Sequence, residues 1–434
     1  MESYVYILSG FLIFGCILVL AYRILVNSGL LVSENPLAKS LLADYSLSNS
    51  GNVSNKEAGA VFLIALGFRI MLFLLGAAFL FMFGHVASFE DILEQYIKWD
   101  AHAYQRIATG GYTYFTEYGD YVTLAFFPLY PWLMRVVNFI FCDLRISGFV
   151  VSYLCYAGGC SFLYKLFSID YGKDTAKRAI IYLSVFPHSL FFGALMSESL
   201  MLFTMAATLY YIRKHNWWLV GVFGALAALS RMTGILLAIP AAVEWIEHYK
   251  IVDKFKNKKI GDIWKLFYQK GLWIFFMLAG TGLYLLCNFK VTNNCFTFLE
   301  YQRTYWHHGA AYFGKGILCV FENLVSSFSE KPSIFFELWL PSAMSILFVL
   351  AMMIYGLRRN RSMYSAFLIV YFMINMGVDW IISTPRYMAC AVPAFLFLAD
   401  FSERRKWTEP FITATMAVGL GLYLVAYLSN KQVL

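Results

Sequence analysis

Apolar runs of bilayer length recur along the whole of this chain, and that recurrence constrains the fold more than any single motif. Candidate spans lie near 4–25, 60–84, 124–141, 147–168, 179–193, 196–212, 217–245, 271–289, 335–357, 363–382 and 386–429, the last long enough for two. A helix of about 20 apolar residues crosses the hydrocarbon with its backbone satisfied internally. Of 434 residues, 60% are hydrophobic and 14% charged, against about 25% charged in a soluble domain. The expected fold is all-α: a polytopic membrane helix bundle of about 11–12 spans, several broken by Gly or Pro as in bundles that surround a polar cavity.

The first run lacks a small-residue cleavage site and is flanked by Arg23, so it reads as a retained span. With the polar linker after it, it sets residues 1–58 apart from a core at 59–434. Cysteines sit singly in apolar stretches (Cys16, Cys155, Cys160, Cys287, Cys390), and no CxxC or Cys/His spacing suggests a metal. The net charge of +8 is gathered in short loops, a topology signal and not a nucleic-acid footprint. The lysines between 250 and 270, Arg358, Arg359 and Arg361, Arg404, Arg405 and Lys406, and Arg213, Lys214 and His215 mark cytoplasmic ends. Residues 85–123 have the opposite balance, since Glu90, Asp91, Glu94, Asp100, Glu117 and Asp120 outnumber Lys98 and Arg106. That stretch belongs outside, together with 290–334 and 383–387.

Polar residues within or beside apolar sequence carry the chemistry. Asp100 follows Trp99 and precedes His102 on an expected interfacial helix, where aromatic rings favour the headgroup boundary. It is a general base for an incoming hydroxyl, or else a solvated loop acid or a helix cap. Six acids share the loop, so composition does not select it. Glu198, in Ser197-Glu198-Ser199, lies between apolar runs; an acid so placed is a functional candidate by default, with an exposed helix cap as the alternative. Arg231 interrupts the run 217–243, so it pairs with an acid, binds an anion or marks a hairpin end. Arg386, beside Tyr387, offers a planar fork to phosphate or snorkels.

The loop Tyr301-Gln302-Arg303-Thr304-Tyr305-Trp306-His307-His308-Gly309 is rich in aromatics and donors, as carbohydrate-binding surfaces often are. Its adjacent histidines are a poor metal signature, because neighbours on a helix do not share a face. Phosphate-loop, GxSxG, HExxH and GxGxxG patterns are absent. A transferase of this kind takes its donor from the membrane, activated on a lipid.

At these residues the chain resembles the PIG-V family of GPI mannosyltransferases, within the GT-C class of membrane glycosyltransferases. The resemblance rests on Trp99-Asp100-Ala101, Ile107-Ala108, Gly111-Tyr112, Ala125-Phe126-Phe127-Pro128 and Pro131. It continues through Pro187, Ser197-Glu198-Ser199-Leu200, Arg231, Gly234 and, weakly, Pro385-Arg386-Tyr387. It implies an inverting sugar transfer at the outer or luminal face, with neither metal nor cofactor. The donor would be polyprenyl- or dolichyl-phosphate-mannose and the acceptor a glycolipid or glycan, among membrane lipids and without nucleic acid.

Asp100 would then be the base, Arg386 and Arg231 would stabilise the departing phosphate, and Glu198 would orient the acceptor or hold an arginine. Trp99, His102, Gln302, Arg303 and Tyr387 would line the substrates. The extra first span and the insert Thr113–Thr123 depart from the family pattern. A prokaryotic member in a bacterial-type plasma membrane, acting on a cell-envelope acceptor, fits these departures, with an endoplasmic-reticulum enzyme as the alternative. The other function class open to such a chain is a lipid or glycan transporter or flippase; that would be expected to show paired internal repeats, and the two halves have no convincing similarity.

Overall fold

The computed structural model describes residues 2–30, 52–84, 86–357 and 360–433. Helices account for nearly all of it, and extended pairing among the described residues is confined to two isolated bridges, Glu117 with Asp120 and Ala310 with Val378. Helices α1 (Glu2–Asn27) and α2 (Asn55–Met82) turn most of their apolar surface outward, as lipid-facing spans do. A capping box starts α2: Ser54 Oγ accepts from the Glu57 N–H at 3.2 Å, and Glu57 Oε2 accepts from the Ser54 N–H at 2.8 Å. Two backbone donors that lack helical partners are thereby satisfied.

Two short helices follow, α3 (Phe89–Gln95) and α4 (Asp100–Gly110). Between them Tyr96 reaches back to α2, its hydroxyl donating to Phe73 O at 3.1 Å. Next come α5 (Leu129–Phe141), α6 (Leu144–Tyr171) and α7 (Lys173–Val185). A 3-10 segment, Pro187–Gly193, leads into α8 (Glu198–Arg213) through a bend of 94°. Helices α6 and α8 approach closely because Gly158 and Gly159 face Phe203 and Leu202; a Cβ at Gly158 would stand 2.8 Å from the Phe203 ring. Small residues serve close helix contact in this way throughout membrane bundles.

The rest of the chain runs through α9 (Trp217–Ser230), a 3-10 turn at Met232–Leu237, α10 (Ala238–His248), α11 (Ile251–Lys256) and α12 (Ile260–Thr292). It continues with α13 (Thr297–Trp306), α14 (Phe313–Glu330), α15 (Pro332–Gly356), α16 (Ser362–Met376), α17 (Thr384–Met388), α18 (Val392–Arg404) and α19 (Thr408–Leu428).

Among the described residues six helices are long and apolar enough to cross a membrane, namely α1, α2, α6, α12, α15 and α19, and the bent pair ending in α8 makes a seventh if it is counted as one span. Helices α5, α9 and α16 are apolar but shorter. The apolar runs of the sequence are therefore mostly helical, but breaks at Pro187 and Arg231 divert residues into 3-10 turns and leave segments below full span length. Lys254 and Lys256 lie on α11 and Lys265 and Lys270 on α12, with Lys250, Lys258 and Lys259 in the turns beside them, where the sequence suggested one loop. Arg358, Arg359 and linker residues 31–51 lie outside the described residues.

Two features of the packing matter for the site. Leu80, Tyr96, Tyr130, Phe191, Leu195, Leu420 and Tyr427 form an apolar cluster beneath α4. At the far end of α8, an ionic clasp joins four helices. Asp170 of α6 accepts from Arg213 Nε at 2.9 Å, Arg361 Nε at 3.1 Å and the Tyr364 hydroxyl at 2.9 Å. Glu244 of α10 accepts from Arg361 Nη1 at 2.9 Å and lies 3.0 Å from His215 Nε2.

Candidate active site

Asp100 is the first residue of α4, and the backbone is strained just before it. Trp99 sits at φ 49 and ψ −116, a region that costs a bulky residue on the order of 1–3 kcal/mol. Ring packing holds it there: its indole lies 5.4 Å from the Tyr427 ring and 6.4 Å from the Phe191 ring. The strained residue sets the direction in which Asp100 leaves the chain. Its neighbour Lys98 is anchored behind, donating to Tyr427 O and, at 2.7 Å, to Asn430 Oδ1. Burial pulls the Lys98 amine down to about 8.

Asp100 Oδ2 meets Arg386 Nη2 at 2.6 Å. Arg386 belongs to the one-turn helix α17, which opens with Pro385 in its first turn, a position where the missing N–H costs nothing. The Arg386 Nε donates to Glu198 Oε1, and Arg231 Nη1 donates to the same oxygen. Two carboxylates and two guanidiniums thus alternate in one chain of contacts, Asp100–Arg386–Glu198–Arg231. Glu198 and Arg386 are 1% and 3% exposed, Asp100 and Arg231 25% and 21%, so the chain runs from a water-facing carboxylate through a sealed centre.

Glu198 opens α8, immediately after the 94° bend. Ser197 makes no side-chain cap there; its Oγ accepts from the Tyr104 hydroxyl at 2.8 Å and from Arg231 Nη1 at 3.3 Å. The reading of Glu198 as an exposed cap is therefore overturned: it is a buried acceptor for two arginines, with its Oε2 unpartnered. Arg231 extends (φ −156) between α9 and the following turn. That turn closes on Gly234, where any Cβ would collide with the Ala227 carbonyl at 2.1 Å. Arg231 also stands 5.3 Å over the Tyr387 ring, and Arg386 5.4 Å over Phe191.

Of the residues singled out in the sequence, Asp100, Glu198, Arg231, Arg386 and Tyr387 come together, with Trp99 as the wedge behind them. His102 is exposed on α4, two residues from Asp100 and so on a different face. Gln302 is half-buried and Arg303 exposed on α13, and their helix is tied elsewhere: Tyr305 and Tyr301 donate to Asp120 at 2.7 and 3.4 Å. That tie holds α13 over the insert 113–123 and next to the cluster, not in it. His308, beyond α13, is within electrostatic reach of Asp100; burial lowers its imidazole below the usual range while the Asp100 charge pulls the other way.

Sequence reasoning missed Tyr104 and the Ser197 hydroxyl as members of the cluster. Tyr104 is four residues after Asp100 and therefore on its face of the helix, a signal that was available.

The family model described as dolichyl-phosphate-mannose-protein mannosyltransferase matches residues 127–284, a stretch that holds Glu198 and Arg231. No curated protein matches the chain. Among solved structures, the crystal structure of ArnT from Cupriavidus metallidurans bound to undecaprenyl phosphate is similar at a TM-score of 0.51 and 15% identity. The match covers 83% of this chain and 64% of that one, so the chain spans under two thirds of its relative's length. In fold, then, this is a multi-pass helical membrane protein similar to the ArnT structure.

Proposed function

We propose that the protein is an inverting hexosyltransferase that moves mannose from a polyprenyl- or dolichyl-phosphate donor to a glycolipid or glycan acceptor at the extracytoplasmic face. The observation that carries this reading is the unequal burial within one ionic chain: Asp100 a quarter exposed, and Arg386 beside it sealed between two carboxylates. A carboxylate at the water boundary accepts the proton of an acceptor hydroxyl. As that oxygen bonds to the anomeric carbon from one face, the bond from carbon to phosphate oxygen breaks on the other, and its electron pair leaves with the lipid phosphate. Arg386 and Arg231 are fixed cations facing the charge that develops there. Glu198 holds both in place.

The stretch similar to the dolichyl-phosphate-mannose-protein mannosyltransferase model supports mannose and a lipid-phosphate donor. The undecaprenyl phosphate held by ArnT supports a polyprenyl carrier and a bacterial-type plasma membrane. The test uses purified protein with radiolabelled polyprenyl-phosphate-mannose and membrane lipid. Wild type should form a labelled glycosidic product, and Asp100→Asn should form it at least about a hundredfold more slowly. Full activity in that variant removes Asp100 as base. Labelled lipid that changes leaflet without a new glycosidic bond would make the protein a flippase.

A further inference from the structure

Arg69 lies midway along α2, a span of mean hydropathy 2.4, where an arginine is expensive and ordinarily finds a counter-charge. It is 1% exposed. Its guanidinium stacks 3.8 Å over the Tyr156 ring, and Nη1 donates to Ser189 O at 2.8 Å. Nε and Nη2 are buried with no acceptor, and among the described residues no carboxylate comes within ion-pair distance. Those two nitrogens form one edge of the guanidinium fork, the geometry that takes two oxygens of a single anion.

Arg69 also lines a crevice. Its walls are Leu72 and Phe73 of α2, Leu190 of the 3-10 segment, Leu420 and Leu424 of α19, and Tyr153 of α6. Gly193 completes the wall beside Arg69. Both α2 and α19 expose most of their apolar surface, so the crevice lies between two lipid-facing helices. An uncompensated bidentate cation at the end of an apolar cleft matches an amphiphile: an anion for the arginine, a hydrocarbon chain for the leucines. None of Asp100, Arg386, Glu198 and Arg231 lines this crevice.

We propose that Arg69 and the α2–α19 crevice form a binding site for the phosphate of a membrane lipid, separate from the Asp100–Arg386–Glu198–Arg231 cluster. The site does not depend on the transferase reading, and its test reads lipid binding and not transfer. Dissociation constants for phosphatidylglycerol, phosphatidylcholine and inorganic phosphate would be measured by native mass spectrometry on the full-length protein in detergent.

Wild type should prefer phosphatidylglycerol over phosphatidylcholine by about tenfold or more, and Arg69→Met should abolish the preference. Leu424→Trp, which leaves Arg69 in place and fills the apolar wall, should weaken phosphatidylglycerol binding by a similar factor and decides the matter if Arg69→Met does not fold. The proposal is overturned if wild type shows no preference or if Leu424→Trp binds as wild type does. Inorganic phosphate competing as effectively as the lipid would make this a free-anion site and would equally overturn it.

Discussion

The two ends of α8 carry the same kinds of residue and do different things with them. At its last turn Arg213 joins the clasp of Asp170, Arg361 and Glu244; at its first residue Glu198 joins Arg386, Arg231 and Asp100. The helix is 16 residues long, about 22 Å from first residue to last. In the clasp both acids are nearly sealed, with Asp170 9% and Glu244 1% exposed, and acids and donors together tie four helices. Such a network orders the bundle. The other cluster contains a carboxylate open to water, aimed by a strained tryptophan, beside an arginine that is fully buried. Charge pairing is common to both ends, and so is a residue at positive φ, Trp99 at one and His215 at the other; a water-exposed carboxylate distinguishes the one suited to react.

The largest expected effect separates them cleanly. Glu198→Gln takes the carboxylate from Arg231 and leaves Arg386 with Asp100 alone, and Glu244→Gln leaves Arg361 with Asp170 alone, so each gives up part of an ionic network in which removing one partner of a buried pair costs up to about 3–5 kcal/mol. Both variants should melt well below wild type in detergent, as read by intrinsic fluorescence. Below its melting point, however, Glu244→Gln should keep its transfer rate while Glu198→Gln loses it. Equal retention or equal loss would erase the distinction.

Asp100→Asn probes the same contrast from the other side. Removing a positioned base costs about 10²–10⁴ in rate, while the melting temperature should stay near wild type because Arg386 keeps Glu198. A large drop in melting temperature with modest loss of transfer would recast Asp100 as part of a second clasp.

Tyr104→Phe is a milder change. It removes one hydroxyl from Ser197, worth about 0.5–1.5 kcal/mol, and should lower kcat a few-fold at unchanged donor KM. Tyr364→Phe removes the comparable hydroxyl from the clasp and should alter stability alone.

The smallest effect is a pH slope. Lys98 holds its proton less tightly when folded, at about 8 against an ordinary 10.5. Between those values the unfolded chain binds more protons, so stability rises with pH across that window. Lys98→Met should flatten this rise in the melting temperature, and a slope that persists in the variant assigns it to another group.

Much of this was visible in the residues alone, for a definite reason. Ionisable side chains in apolar sequence are rare enough that Glu198, Arg231 and Arg386 announce themselves. Their pairing was not legible, because Arg386 and Glu198 are 188 positions apart and no local rule links them. Glu198 was open to a reading as an exposed helix cap, whereas the fold buries it and turns Ser197 toward Tyr104. Gln302 and Arg303 were singled out for aromatic company, and those same aromatics turn α13 toward Asp120 instead. Nor does any composition rule reveal that Trp99 would take a positive φ; ring packing from residues distant in sequence imposes it. The run 217–245 read as one span because a single arginine does not declare whether it interrupts a helix or merely decorates it.

The outward-facing surfaces of α2 and α19 have a consequence for divergence. Only 17% of the apolar window in each is buried, so most of their positions ask for nothing beyond an oily side chain, and Leu, Ile, Phe or Val serve interchangeably. Drift there is nearly free, and helices of this kind accumulate substitutions without moving. A common scaffold can therefore superpose over 83% of this chain while identity falls to 15%.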